Sequence, residues 1–308
     1  MRLYALAVAI FALTACPAEA KWEALRPATL QRTEVSAVRI ANAIYVAGGF
    51  VPQGNATTAL AERYDIARDR WRRISSMPVA LNHAAAAVYK GRLYIVGGFG
   101  ADGPETAGLL RYDPRTDRWA RLPGMPTKRA ALTAGCVGDR LYAAGGATVQ
   151  GTPLATLEIY DFKTRRWSRG PSMRHAREHL AGAVSGRAFY VLAGRAAGQG
   201  NFTVAERYVP SRHRWERVPH LHKARGGTAA ATLSDGRIVV AGGEEGAGTI
   251  REVELYDPSR RRWSRLPDMP TPRHGLGVVA RGRRVFTVEG GPQPGFAFSN
   301  TLEALDIR

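Results

Sequence analysis

Six tryptophans, Trp22, Trp71, Trp119, Trp167, Trp215 and Trp263, recur 49 and then 48 residues apart. A chain that repeats itself at such a period is built from supersecondary units, none of which can bury its apolar face alone, so neighbouring units must stack. Glycine pairs keep step with the tryptophans: Gly48-Gly49, Gly97-Gly98, Gly145-Gly146, Gly242-Gly243 and Gly290-Gly291, with Gly194-Arg195 as an imperfect copy. Seven residues ahead of each tryptophan from Trp71 onward stands a tyrosine (Tyr64, Tyr112, Tyr160, Tyr208, Tyr256), followed by Asp except at Val209.

Each unit reads as four strands. A run of small residues, such as Ala84 to Val88, leads into a β-rich run that ends at the glycines. A third strand ends at Tyr-Asp and a fourth carries the Trp. Small side chains suit the crowded inner end of a tapered blade. Paired glycines suit a strand end that needs positive φ or a close backbone approach. Asp113-Pro114 and Asp257-Pro258 favour turns, because Pro presets φ and Asp can bond its own backbone. The tryptophan is large enough to fill space between blades. The sixth unit carries Glu303-Ala304-Leu305-Asp306 but reaches Arg308 without its tryptophan, whereas Trp22 has no glycine pair before it. The expected fold is therefore all-β, a six-bladed propeller whose N-terminal strand completes the last blade and leaves no open edge.

The order of small-residue strand, Gly-Gly, Glu-x-Tyr-Asp and Trp resembles the kelch repeat, over nearly everything after the first 20 residues. That resemblance implies a propeller with ligands held on one face, around the channel mouth, by the loops leading into the first strand of each blade.

Arg2 and the apolar run Leu3 to Leu13 read as an export signal. It is followed by a lipobox-like Leu13-Thr14-Ala15-Cys16 and by an Ala18-Glu19-Ala20 cleavage site. Nothing in the residues separates acylation at Cys16 from cleavage after Ala20. The domain expected is 21–308, periplasmic or secreted, with any membrane contact made through a lipid anchor at Cys16. The run is shorter than the roughly 20 apolar residues of a spanning helix. Cleavage after Ala20 leaves Cys136 as the remaining cysteine, without a disulfide partner and in a core-like strand.

The net charge of +18 comes mostly from arginine, recurring in short turns of successive repeats (Arg165-Arg166, Arg212 and Arg214, Arg260-Arg261-Arg262). Charge spread around a ring does not form the concentrated footprint of a nucleic-acid site, so nucleic acid is excluded as a partner.

Two charges recur in step with the period. Arg32, Arg129, Arg177, Arg225 and Arg273 stand in the lead-in loops, and Glu62, Glu158, Glu206, Glu254 and Glu303 stand in the third strands. In the second unit both become leucine, Leu81 and Leu110. Joint loss fits an ion pair within each blade, replaced once by an apolar pair, better than a shared anion site. Residues that differ between repeats are better candidates for a ligand. They are Asn82, His83, Glu178, His179, Arg195, Glu244 and His274, with Arg195 placed at the second glycine position and Glu245 beside Glu244. An Arg among His and carboxylate groups would suit a carboxylated sugar.

No metal-ligand spacing, nucleophile elbow or phosphate loop appears, so no metal, cofactor or catalytic residue is assigned. The expected function is a noncatalytic, monomeric binding module of the cell envelope that recognises a protein segment or a glycan. The alternative is a sugar mutarotase, because the exported sialic acid mutarotases are similar in size, blade number and compartment. Glu178 or His179 with Arg195 would supply its acid and base. Galactose-oxidase-like copper chemistry, also found on kelch propellers, needs a Tyr-Cys crosslink that a Cys136 in a core strand does not offer.

Overall fold

The computed structural model describes residues 20–307, and the residues of the expected export signal up to Glu19 lie outside them. Six four-stranded antiparallel sheets form a closed propeller. Blade 1 runs from its inner to its outer strand as Ser36–Ile40, Ala43–Ala47, Ala61–Asp65 and Arg70–Ile74. Blades 2 to 5 repeat that order, with inner strands Ala85–Tyr89, Thr133–Val137, Ala181–Ser185 and Ala229–Thr232. Blade 6 is made of Gly277–Arg281, Arg284–Val288 and Leu302–Asp306, completed on the outside by Trp22–Ala24. Trp22 pairs with Leu305, the residue at the tyrosine position, as Trp71 pairs with Tyr64. The N-terminal strand thus closes the ring in the register the repeat requires.

Six clusters of buried apolar side chains hold the described residues together, one between each pair of neighbouring blades. At the closure, Ile44, Val46 and Tyr64 of blade 1 meet Phe286, Val288 and Leu302 of blade 6. Each tryptophan packs near the tyrosine opposite it, with ring centroids 5.0–5.5 Å apart in blades 1 to 5. Its indole N–H also donates to a carbonyl of the preceding blade. Trp71 reaches Arg26, Trp119 reaches Ser75, Trp215 reaches Pro171, and Trp22 completes the circle on Pro267, at 2.7–2.9 Å. The residue therefore fills the gap between blades and ties them.

The glycine pair is the matching device nearer the axis. The N–H of Gly98 donates to the carbonyl of Arg129 in the next blade, at 3.0 Å. A Cβ on Gly97 would lie 2.5 Å from that same oxygen, so the approach demands glycine there. Two expected registers are corrected by this geometry. In blade 4 the inter-blade bond is made by Gly194, preceded by Ala193, and in blade 6 by Gly290, preceded by Glu289. Arg195 is thus not at a glycine position but directly after the pair.

The five lead-in arginines are fully buried and each bonds the glutamate of its own blade: Arg32–Glu62, Arg129–Glu158, Arg177–Glu206, Arg225–Glu254 and Arg273–Glu303. Leu81 and Leu110 are buried together in the apolar cluster between blades 1 and 2. Arg32 carries a second carboxylate across the closure. Its Nε and Nη2 each donate to Glu289 of blade 6 at 2.8 Å. Burial, with Glu62 nearby, pushes Glu289 up to about 7 against the pull of Arg32.

Asp65, Asp113, Asp161 and Asp257 accept backbone N–H groups of the turns that follow them. The paired turn arginines lie in these hairpins, around the circumference of the ring. In blade 4, where Val209 replaces Asp, the turn is a short 3-10 helix, Pro210–Arg212. Cys136 sits in the inner strand Thr133–Val137, half-buried against the core between blades 2 and 3, where burial pushes its thiol up to about 12.

Candidate functional site at the channel mouth

A narrow axial channel of about 140 Å³ runs between the inner strands, lined by Ala37, Ala85, Ala134, Ala181, Ala229 and Gly277 among others. Three positions per blade define its mouth on the lead-in loop face. The first is bridged to the residue after the glycine pair: Thr33 to Phe50, Asn82 to Phe99, Ala130 to Ala147, Glu178 to Arg195, Gly226 to Glu244 and His274 to Gly291. The second, next to the first, is the innermost: Glu34, His83, Ala131, His179, Gly227 and Gly275.

All six innermost residues have left-handed φ, between 51° and 66°. Four are not glycine, and side chains rarely tolerate that region without an external constraint. The constraint is a circle of inter-blade bonds. The N–H of His83 donates to the carbonyl of Glu34, Ala131 to His83, His179 to Ala131, Gly227 to His179 and Gly275 to Gly227. Val35 closes the turn onto Gly275. The ring fixes the backbone, and the side chains differ from blade to blade.

Blades 1, 2, 4, 5 and 6 supply long polar groups, and the glycines of blades 5 and 6 make room for them. A Cβ on Gly226 would lie 2.9 Å from Arg195 Cδ, and one on Gly275 would lie 2.5 Å from Glu34 Oε1. Arg195 crosses that space to donate from Nη1 to Glu244 at 2.6 Å, and from Nε to Glu178 at 2.8 Å. Its Nη2 lies 3.2 Å from His179 Nε2, while His179 Nδ1 is bonded to Glu178. Glu34 lies between two histidines, with Oε1 3.2 Å from His274 Nδ1 and Oε2 3.3 Å from His83 Nε2. His274 Nδ1 also lies 3.5 Å from Glu244. The rings of His83 and His179 meet edge to face at 4.8 Å.

Burial works against the charge of Glu34, yet His83, His274 and His179 hold its carboxyl well below the usual range. Burial lowers His83 to about 4 despite Glu34 beside it. For His274 burial is outweighed by Glu34 and Glu244, which raise it. Glu178 is held down by His179 and Arg195 in spite of its burial. Glu178 and Glu244 thus share the Arg195 guanidinium, while Glu34 is held by His83 and His274.

Beside this network, toward blades 1 to 3, opens an apolar groove of about 560 Å³ lined by Phe50, Phe99, Phe296 and Val149. Phe296 packs edge-on against Phe50 at 5.1 Å and remains 59% exposed. Phe296 and Val149 are the exposed large hydrophobic residues among those described, and both line this groove.

All seven residues singled out in the sequence, Asn82, His83, Glu178, His179, Arg195, Glu244 and His274, converge at this mouth. Glu245 turns away to Lys223. Sequence reasoning missed Glu34, Phe50, Phe99 and Phe296. Glu34 had a usable signal, since it stands in repeat register with His83 and His179. Phe50 and Phe99 likewise share a register with Arg195, which the misplaced glycine pair concealed.

The kelch-repeats domain model of KLHDC2/KLHL20/DRC7 matches residues 34–223, and the kelch motif model matches residues 225–270. Kelch-like protein terF of Aspergillus terreus is 36% identical over 93 residues, which is 28% of this chain and 20% of that protein. Kelch-like protein 38 of Mus musculus is 37% identical over 78 residues, 25% of this chain and 13% of that protein. The chain thus spans a fifth or less of these relatives. The solved structure of YjhT superposes with a TM-score of 0.77 at 14% identity, covering 90% of this chain and 95% of that one, a likeness of fold. With the family model matched over more than half its length, and with the same repeat visible blade by blade, the chain belongs to the kelch-repeat family.

Proposed function

We propose that this propeller is a noncatalytic binding module whose lead-in loop face holds a segment of a partner protein. The observation that carries this reading is the apolar groove of Phe50, Phe99, Phe296 and Val149 lying directly against the polar mouth. An exposed apolar patch rimmed by polar groups marks an interaction surface. An apolar side chain of the segment would enter the groove, and its backbone would lie over the donors and acceptors of the mouth. Kelch propellers generally bind proteins, which supports the same choice.

A carboxylated sugar fits less well, because Arg195 already serves Glu178 and Glu244, and a ligand carboxylate would have to displace one of them. We place the partner outside the cytoplasm, because Arg2, the apolar run Leu3 to Leu13 and the Ala18-Glu19-Ala20 site read as an export signal. Protein recovered from the envelope should then begin at Lys21 or at an acylated Cys16.

Selection of displayed random peptides on the purified protein tests the proposal. Enriched peptides should share an apolar anchor and lose binding to Phe99→Ala. No enrichment, or binding indifferent to that change, would overturn it. Acceleration of sugar-acid mutarotation measured by polarimetry would replace it with an enzyme.

A further inference from the structure

We propose that the channel mouth is a binding site for one divalent transition-metal ion of the zinc class, held by Glu34 Oε2, His83 Nε2 and His179 Nε2. Three different blades contribute these residues, and a ligand atom of each lies within 4.8 Å of the others. Such an ion stands about 2.0–2.2 Å from imidazole nitrogen and carboxylate oxygen, so modest side-chain rotation closes the set. Two imidazoles and one carboxylate suit zinc, cobalt, nickel or ferrous iron better than magnesium or calcium.

The arrangement behind the three atoms is what distinguishes this cluster from a chance gathering of polar groups. Every ligand has its outer atom held by a neighbour, as metal ligands in proteins usually do. Asn82 Nδ2 donates to Thr57 at 2.7 Å, which turns its Oδ1 toward His83 Nδ1, 2.6 Å away. His83 therefore donates from Nδ1 and presents Nε2 to Glu34. His179 Nδ1 is bonded to Glu178, which presents its Nε2 to the mouth. Glu34 Oε1 faces His274, which leaves Oε2 toward His83. His83 Nε2 and Glu34 Oε2 face each other at 3.3 Å, a separation that one ion can span.

The ion takes the His179 Nε2 contact from Arg195, which keeps its bonds to Glu178 and Glu244. With three protein ligands, further positions stay open toward the face, where water or an oxygen or nitrogen of a ligand can enter. The assignment does not depend on a protein segment being the partner.

Equilibrium dialysis of the chelator-treated protein against Zn²⁺, with elemental analysis, is the test, with Co²⁺ as a spectroscopic probe. One equivalent of Zn²⁺ should be retained, and Co²⁺ should show the visible bands of a low-coordinate ion. His83→Gln and His179→Gln should each abolish retention, whereas His220→Gln, at an exposed histidine away from the mouth, should leave it intact. Asn82→Ala should weaken affinity by about 10- to 100-fold, the usual effect of losing an outer partner. Circular dichroism establishes that each variant is folded, and Glu34→Gln replaces any that is not. Retention well below one equivalent in the wild type, or equal retention in folded His83→Gln and His179→Gln, would overturn the site and leave a histidine–carboxylate network.

Discussion

Arginine and glutamate meet in two regions of this propeller with opposite consequences. In the lead-in loops five identical pairs are buried, one in each of blades 1, 3, 4, 5 and 6, and blade 2 substitutes two leucines. At the channel mouth Arg195 meets Glu178 and Glu244 once only, partly exposed, among residues that vary around the ring. Where a polar interaction follows the period of the fold, it serves the fold. Where the period is kept by the backbone and abandoned by the side chains, as at Glu34, His83, Ala131, His179, Gly227 and Gly275, the side chains answer to something outside the repeat.

The largest expected effect lies in the repeating set. Arg129→Leu strands a buried Glu158 and should cost about 3–5 kcal/mol in urea unfolding. Adding Glu158→Leu should recover part of that loss, because blade 2 already carries the apolar pair. Equal midpoints for the single and double variants would dissolve the contrast between the regions.

Next comes the closure, where one arginine serves two buried carboxylates. Glu289 has its pKa raised from 4.5 to about 7, so between those values the folded chain holds a proton that the unfolded chain has lost. Its contribution is thus fully present below 4.5 and declines as pH rises through 7. Glu289→Gln should flatten that decline in thermal midpoints, and an unchanged slope would show that the pH dependence arises elsewhere.

Arg195→Gln should cost less, about 2 kcal/mol, because Glu178 and Glu244 keep some access to water when their charged hydrogen bonds are lost. A cost equal to that of Arg129→Leu would mean that the mouth, too, is a structural element. Phe296→Ser should be smallest, within about 0.5 kcal/mol in stability, because the ring is largely exposed. Peptide binding should nevertheless fall, and a variant as good a binder as the wild type would remove the groove from the site.

Much of this was legible along the chain. The tryptophan spacing predicted six blades, and Trp22 without a glycine pair, beside a sixth unit without a tryptophan, predicted the closure observed. The joint change to Leu81 and Leu110 predicted the buried pairs. The register of the glycines was misread twice, because adjacent glycines at 290 and 291 look like the pair, whereas the inter-blade bond is made by Gly290 with Glu289 in the position before it. In blade 4 Gly194-Arg195 likewise looks like the pair in place of Ala193-Gly194, which hides the equivalence of Arg195 to Phe50 and Phe99.

The sequence by itself determined the blade count, the strand order, the circular closure and the pairs that recur in every unit, since each is a short-range pattern repeated at a fixed interval. Only the tertiary structure decided that Glu34, His83, His179, Arg195, Glu244 and His274 share one mouth, and that Phe296 leans on Phe50. A closed ring brings together residues separated by many tens of positions, and which side chains then touch depends on their reach across the axis and on the room a neighbouring glycine leaves. Neither quantity is written in a period.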